Sequence, residues 1–302
     1  MRSYKIFVVL LLNFAFIAMG NASNINGVLW QPQVRDLAVS QEDWRALMTS
    51  IKKRGIDTLV LQWTKYDAAF KEAEEMDALL EKTLIAHKEG LKVIIGLSSE
   101  NEFFNRQQLP LNELESYLNN LAYKDVKQLL RWQKRLTFEP SGWYISAEID
   151  DYNWQDKERR DLLLQWLGSL KEILVTLTNA PIYISSFFSG NMNPKDYQDL
   201  IYSIEQQGLK VWIQDGSGVN QLTTQQRLSY LNCNVGEDVK YTLGSGIIYE
   251  VFMIQENGEI VPKQMLDIVD IDNELKGCGE DKIIFSLRYL QNINNPLQYV
   301  KE

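Results

Sequence analysis

Eight short apolar runs alternate with longer segments of helical periodicity along most of this chain, and that rhythm leaves few architectures open. Alternation of this kind marks β–α units and a parallel sheet. The runs are Gly27–Trp30, Thr58–Trp63, Lys92–Leu97, Trp143–Ala147, Pro181–Ser186, Lys210–Gln214, Ile247–Met253 and Ile283–Leu287. Between them, Ser40 is placed to N-cap a helix that runs to Arg54 and stops at Gly55. Met76–Lys88 reads as a helix closed by Gly90, Leu111–Gln133 as helical in one piece or two, and Lys157–Leu177 as one long helix. Pro194 opens a helix to Gln207, ended by Gly208, and Thr223 opens another. Ser98–Pro110 is a long polar connection. Eight such units favour closure into a (β/α)8 TIM barrel over an open doubly wound sheet. The rhythm is weakest over Gln255–Gly279, where Glu256, Asn257 and Gly258 also fit the turn of a hairpin returning on the seventh run. With no internal repeat, linker or low-complexity stretch, residues 23–302 read as a single domain.

The first 22 residues fall outside that pattern. Arg2 and Lys5 precede an apolar run from Ile6 to Met19, and Gly20, Asn21 and Ala22 supply a small-x-small cleavage signal. The sequence therefore predicts a cleaved signal peptide at 1–22 and a periplasmic or secreted mature protein. The run is short for a membrane span, and nothing later is long and apolar enough to form one. Export would put Cys233 and Cys278 in an oxidising compartment, where they are expected to form a disulfide. Taking Arg2 and Lys5 from the 31 basic residues leaves 29 against 40 acidic ones, a formal charge of −11. Such a chain is a poor match for nucleic acid or an anionic membrane surface, whereas a neutral glycan carries no penalty.

Scarcity narrows the chemistry further. The one histidine, His87, lies in a helical stretch, and no G-x-S-x-G elbow is present, so a Ser-His-Asp or Cys-His site has no support. A histidine-rich zinc site needs more than one histidine. Gly216-Ser217-Gly218 follows a strand but lacks the remaining elements of a phosphate loop. No metal and no cofactor are expected.

What remains is carboxylate chemistry. The fourth run leads from Trp143 directly into Glu148, Asp150 and Asp151. A carboxylate at the edge of a core costs free energy unless it is paired, hydrogen-bonded or wet, and the wet place in a barrel is the mouth at the carboxyl ends of the strands. Glu250 lies in the seventh run. Two strand-borne glutamates suit glycosidic-bond cleavage, one as proton donor and the other as nucleophile or base. Glu148 is the candidate acid/base and Glu250 its partner. Around them the strand ends would supply Trp30, Gln62, Trp63, Gln214, Asp215 and Phe252, and the loop after the fourth strand Asp150, Asp151 and Trp154, as sugar-binding groups. Each acid also has a plainer reading: Glu148 paired with Arg35 or Arg288, Glu250 with Glu256 or Glu259 competing for its role, and Asp150 and Asp151 as helix caps or oxygen ligands of a cation.

The segment Gly142-Trp143-Tyr144-Ile145, with Glu148-Ile149-Asp150-Asp151 and Asn153-Trp154 after it, resembles the fourth-strand motif of an exported bacterial family of glycoside-hydrolase-like TIM barrels, a domain of unknown function. Gly55–Trp63, Ile213–Gly216 and Glu250–Phe252 are similar as well. The resemblance spans nearly the whole mature chain and implies a barrel associated with carbohydrate. Acids on strands four and seven also look like the large clan of retaining glycosidases, which carries Asn where this chain has Ala147. Two functions follow as expectations: an exported hydrolase of a bacterial polysaccharide, or a glycan-binding accessory protein of surface-polysaccharide synthesis or export machinery.

Overall fold

A computed structural model describes residues 26–219, 221–231, 243–263 and 280–300. Eight parallel strands close into a barrel: β1 (Gly27–Trp30), β2 (Thr58–Leu61), β3 (Lys92–Gly96), β4 (Gly142–Ile149), β5 (Ile182–Ser186), β6 (Lys210–Gln214), β7 (Gly246–Glu250) and β8 (Asp281–Phe285). Each strand pairs with its sequence neighbours, and β8 closes on β1 with Ile283 opposite Gly27 and Phe285 opposite Leu29. Among the described residues, six helices of eight residues or more pack outside: α1 (Gln41–Lys53), α2 (Ala73–Lys88), α3 (Leu111–Gln133), α4 (Lys157–Leu177), α5 (Pro194–Glu205) and α6 (Thr224–Leu231). This is the (β/α)8 barrel that the alternation predicts, and α3 is one continuous helix.

Local sequence accounts for the boundaries. The Ser40 hydroxyl accepts the Asp43 N–H at 3.1 Å and starts α1, while Gly55, at φ 89°, takes the left-handed conformation that ends it. Asp156 caps α4 through the N–H groups of Glu158 and Arg159, and Asn193 caps α5. The strands are apolar along their middles, with polar residues at their ends, because a barrel strand is buried on both faces.

Those two faces make two cores. Outside the barrel, side chains such as Trp44, Leu47, Leu118, Leu167 and Leu200 fill the space between helices and sheet. Inside, one residue per strand forms a plug, with Tyr144, Tyr183 and Trp212 its largest members and Leu29, Val60 and Ile248 among the rest. The plug closes the barrel from below, so the space above it, at the carboxyl ends of the strands, is where a ligand can enter.

Two small sheets extend the rim. Lys65–Tyr66 pairs with Ser98–Ser99 above β2 and β3, and the long polar connection therefore carries structure of its own, including a helical turn at Phe103–Arg106. Phe252–Ile254 pairs with Ile260–Pro262 as an antiparallel hairpin. The seventh apolar run accordingly splits: β7 stops at Glu250, and the turn at Gly258 folds the rest back on itself rather than on β7. Among the described residues no helix is long and apolar enough to cross a membrane. Residues 1–22, Cys233 and Cys278 lie outside the described residues.

Candidate active site

The mouth is built by simple alternation. Side chains two positions beyond a plug residue point the same way, one pleat nearer the opening. Two beyond Val60 comes Gln62; two beyond Tyr183, Ser185; two beyond Trp212, Gln214; and two beyond Ile248, Glu250. An apolar floor is thus overlaid by amide, hydroxyl and carboxyl groups.

Strand β4 breaks the rule in an informative way. Ile145 pairs with Ile184, but the next partner of Ser185 is Glu148 rather than Ser146. Two residues, Ser146 and Ala147, are accommodated in a bulge. A regular strand would carry Glu148 about 6–7 Å further out, since each residue rises roughly 3.3 Å; the bulge draws it down to the level of Ser185. Bulges beside functional sites commonly re-aim a side chain in this way. The displaced Ser146 donates its hydroxyl to the Gln62 carbonyl at 2.6 Å and ties the bulge to the end of β2.

Glu148 is partly exposed in the mouth. Its Oε1 accepts two amide N–H groups, from Gln62 Nε2 at 3.1 Å and Gln214 Nε2 at 3.2 Å. Burial pushes its carboxyl from 4.5 up to about 7, against the opposing pull of the Gln214 hydrogen bond. That value suits a group that must deliver a proton near neutral pH. The Arg288 guanidinium does not pair with it; it bonds Asp36 at 2.6 Å.

Glu250 is in a different setting. It is 4 % exposed, and its Oε2 accepts the Gly218 N–H at 2.6 Å. Burial, and next the neighbouring Asp215 carboxylate, hold its carboxyl above the ordinary value. Asp215 accepts the Glu250 N–H at 3.1 Å and forms an ion pair with Arg227 at 3.3 Å. Lys263 donates to the Glu250 carbonyl at 2.7 Å and to Ser217 Oγ at 2.5 Å, fixing the loop that follows β6. Asp215 therefore holds the main chain at Glu250 and at the loop after β6.

The remaining candidates divide between mouth and scaffold. Gln62 and Gln214 join Glu148, as described. Trp30 points outward from β1; it is fully buried against Trp44 and bonds Asp36. Trp154 lies on the loop after β4, as the sequence predicts, but its side chain is fully buried in the outer core and does not face the mouth. Trp63 is 8 % exposed, donates to the Pro32 carbonyl and is overlaid by Tyr66, with ring centroids 4.6 Å apart. Asp150 accepts the N–H groups of Tyr152 and Asn153, with burial raising its pKa. Asp151 is fully buried and accepts backbone N–H groups from Ser189, Gly190, Asn191 and Met192. Neither caps α4, a role taken by Asp156. Phe252 is buried against Phe285 and Tyr289.

Sequence reasoning passed over Tyr66 and Ser146. Tyr66 is partly exposed, covers Trp63 and is close enough to Glu148 for that carboxylate to help raise its pKa, after burial and Asp67. It sits on the rim sheet beyond β2, where strand-end counting does not reach. Among the described residues no group of three or more His, Cys, Asp or Glu side chains is arranged to hold a metal ion.

Comparison with known proteins places this geometry in context. Residues 25–296 match the sequence model of a family described as a domain of unknown function (DUF4434). The chain is 40% identical over 277 residues to YbcH of Escherichia coli (strain K12), described as an uncharacterized protein, covering 91% of this chain and 93% of YbcH. Among solved structures, a candidate α-L-fucosidase from Bacteroides thetaiotaomicron superposes with a TM-score of 0.62 at 14% identity, over 94% of this chain and 92% of that one, a likeness of fold.

Proposed function

The chain belongs to the DUF4434 family, and we propose that it is an exported glycoside hydrolase acting on a bacterial polysaccharide. The observation that carries this reading is Glu148: a partly exposed carboxyl in the mouth, drawn there by a bulge, bonded at one oxygen by two amides and titrating at about 7. Glu148 protonates the departing glycosidic oxygen. Glu250 is the second carboxylate, oriented by the Gly218 N–H, acting as nucleophile or as base toward water. Tyr66, backed by Trp63, offers an aromatic face to the apolar side of a sugar ring.

Polysaccharides from bacterial envelopes and capsules are the substrates to try, with release of new reducing ends as the readout. Wild type cleaves one of them. Glu148→Gln loses at least about a hundredfold in rate, the usual contribution of a positioned acid, yet still binds. Unchanged cleavage by Glu148→Gln refutes the assignment.

The burial of Glu250, with Oε2 already taken, favours a second reading in which the barrel binds a glycan for surface-polysaccharide synthesis or export machinery without cutting it. Binding by wild type with no cleavage of any tested polymer would select it. Both readings have the mature protein begin after Ala22 as one domain in the periplasm or outside the cell, with Cys233 and Cys278 bonded. N-terminal sequencing and thiol titration of the exported protein test those two points.

A further inference from the structure

Gln62 is 4 % exposed, and its two side-chain polar atoms fare differently. Nε2 donates to Glu148 Oε1 at 3.1 Å. Oε1 is buried and has no hydrogen-bond partner among the described residues. An amide oxygen left like this costs free energy, and buried acceptors are generally matched by a donor of the protein, a water or a ligand.

Rotating the amide does not remove the problem. Gln214 Nε2 also donates to Glu148 Oε1, at 3.2 Å, so that oxygen receives two N–H groups and is the one better kept as an acceptor. A flipped Gln62 would set its own oxygen against this acceptor. The acid proton of Glu148 therefore belongs on Oε2, and the Gln62 oxygen stays unmatched beside it. The Ser146 hydroxyl donates to the Gln62 main-chain carbonyl at 2.6 Å and so fixes the backbone that carries this amide.

We propose that Gln62 Oε1, covered in the unbound protein, is uncovered on binding and accepts one sugar hydroxyl of the substrate, immediately beside the glycosidic oxygen that Glu148 protonates. This rests on the glycan reading above and deepens it. One amide then performs two tasks: its N–H keeps the Glu148 proton on the oxygen turned toward the substrate, and its carbonyl selects sugars that carry a hydroxyl at one ring position. A deoxy sugar would leave the buried acceptor empty and lose affinity for that reason, whatever its other contacts.

The test uses the mature protein and methyl glycosides of glucose, galactose, mannose and N-acetylglucosamine, each with its monodeoxy analogues, measured by titration calorimetry. For the glycoside that binds, removal of one hydroxyl is expected to weaken wild-type affinity roughly 10- to 100-fold. That difference disappears in Gln62→Met and persists in Gln214→Met. It persists also in Gln62→Glu at pH 5, where a proton shared with Glu148 replaces the lost N–H and the other oxygen still accepts the hydroxyl, and this variant decides the matter if Gln62→Met does not fold. Discrimination that survives in Gln62→Met, or vanishes in a folded Gln62→Glu, overturns the proposal while sugar binding keeps the glycan reading standing. No binding of any glycoside by wild type overturns both.

Discussion

Replacing Glu148 with Gln should stabilise the protein, and by an amount that depends on pH. The substitution is close to isosteric, and a glutamine oxygen can accept the same two amide N–H groups from Gln62 and Gln214. What it removes is the cost of an ionised carboxylate in a crowded site. Burial raises the folded-state pKa of Glu148 from 4.5 to about 7, so its contribution to stability is intact below the unfolded value and is lost as pH rises through the folded one. At 1.36 kcal/mol per pKa unit the full loss is about 3 kcal/mol, reached near pH 8, and is under about 1 kcal/mol at pH 5. Solvent at the partly exposed edge trims the larger figure toward about 2 kcal/mol. Urea unfolding of wild type and Glu148→Gln at both pH values, with m-values compared, reads this directly and needs no substrate. The expected outcome is near-equality at pH 5 and a clear gain for the variant at pH 8. Equal displacement at the two pH values, or a loss at pH 8, would refute the claim that the mouth holds this acid under desolvation. A variant made stabler while glycan cleavage or binding is lost would be the signature of a site kept for function at a cost in stability.

Three other expectations concern the supports of the site. Asp151→Asn keeps at most one acceptor oxygen for the four backbone N–H groups and the Asn191 amide that now share two. The loss of at least two charge-assisted bonds should cost about 3 kcal/mol or more in urea unfolding, and a loss under about 1 kcal/mol would contradict this account. Gly96→Ala would place its Cβ 2.2 Å from the Gln62 carbonyl oxygen, where only main chain can give way. Thermal melting should drop by several degrees, and the Glu148 titration should move with the displaced amide; an unchanged pair of readings counts against it. Asp125 is buried on α3, with its carboxyl pushed from 3.8 up to about 8, chiefly by burial. Wild-type stability should therefore fall as pH rises through about 8, and Asp125→Asn, which can still accept the Ser98 N–H, should melt with a flatter pH profile. Parallel profiles would mean that Asp125 titrates normally.

The barrel was legible because its physics repeats. Every barrel strand is buried on both faces, so each leaves an apolar run, and start signals such as Ser40 and Pro194 mark where helices begin. Glu148 stood out for the same reason, as an acid directly continuing such a run. What the sequence concealed depends on contacts made at a distance. Trp154 looks like a loop aromatic until the outer core closes over it. Asp150 and Asp151 look like sugar ligands, but backbone N–H groups of their own and a neighbouring loop occupy them. Tyr66 reaches the mouth through a two-residue strand too short to leave a pattern. Gln62 and Gln214 were readable as strand-end amides, but their convergence on a single oxygen depends on how far β4 is drawn down.

That drawn-down strand has a consequence for comparing members of the family. Because Ser146 and Ala147 are the residues spent in the bulge, the site is encoded partly in chain length. A relative lacking two residues here could preserve the acid, the aromatic lead-in and a closed barrel, yet hold its glutamate one pleat too high to meet the amides at 62 and 214. It would read as conserved in any column-by-column comparison and still lack the constellation. Equally, Ala147, the residue preceding the glutamate, occupies a looped-out place that a regular strand does not possess. Counting residues from Trp143 to the acid is thus a sharper sorting criterion for this family than the identity of the acid itself.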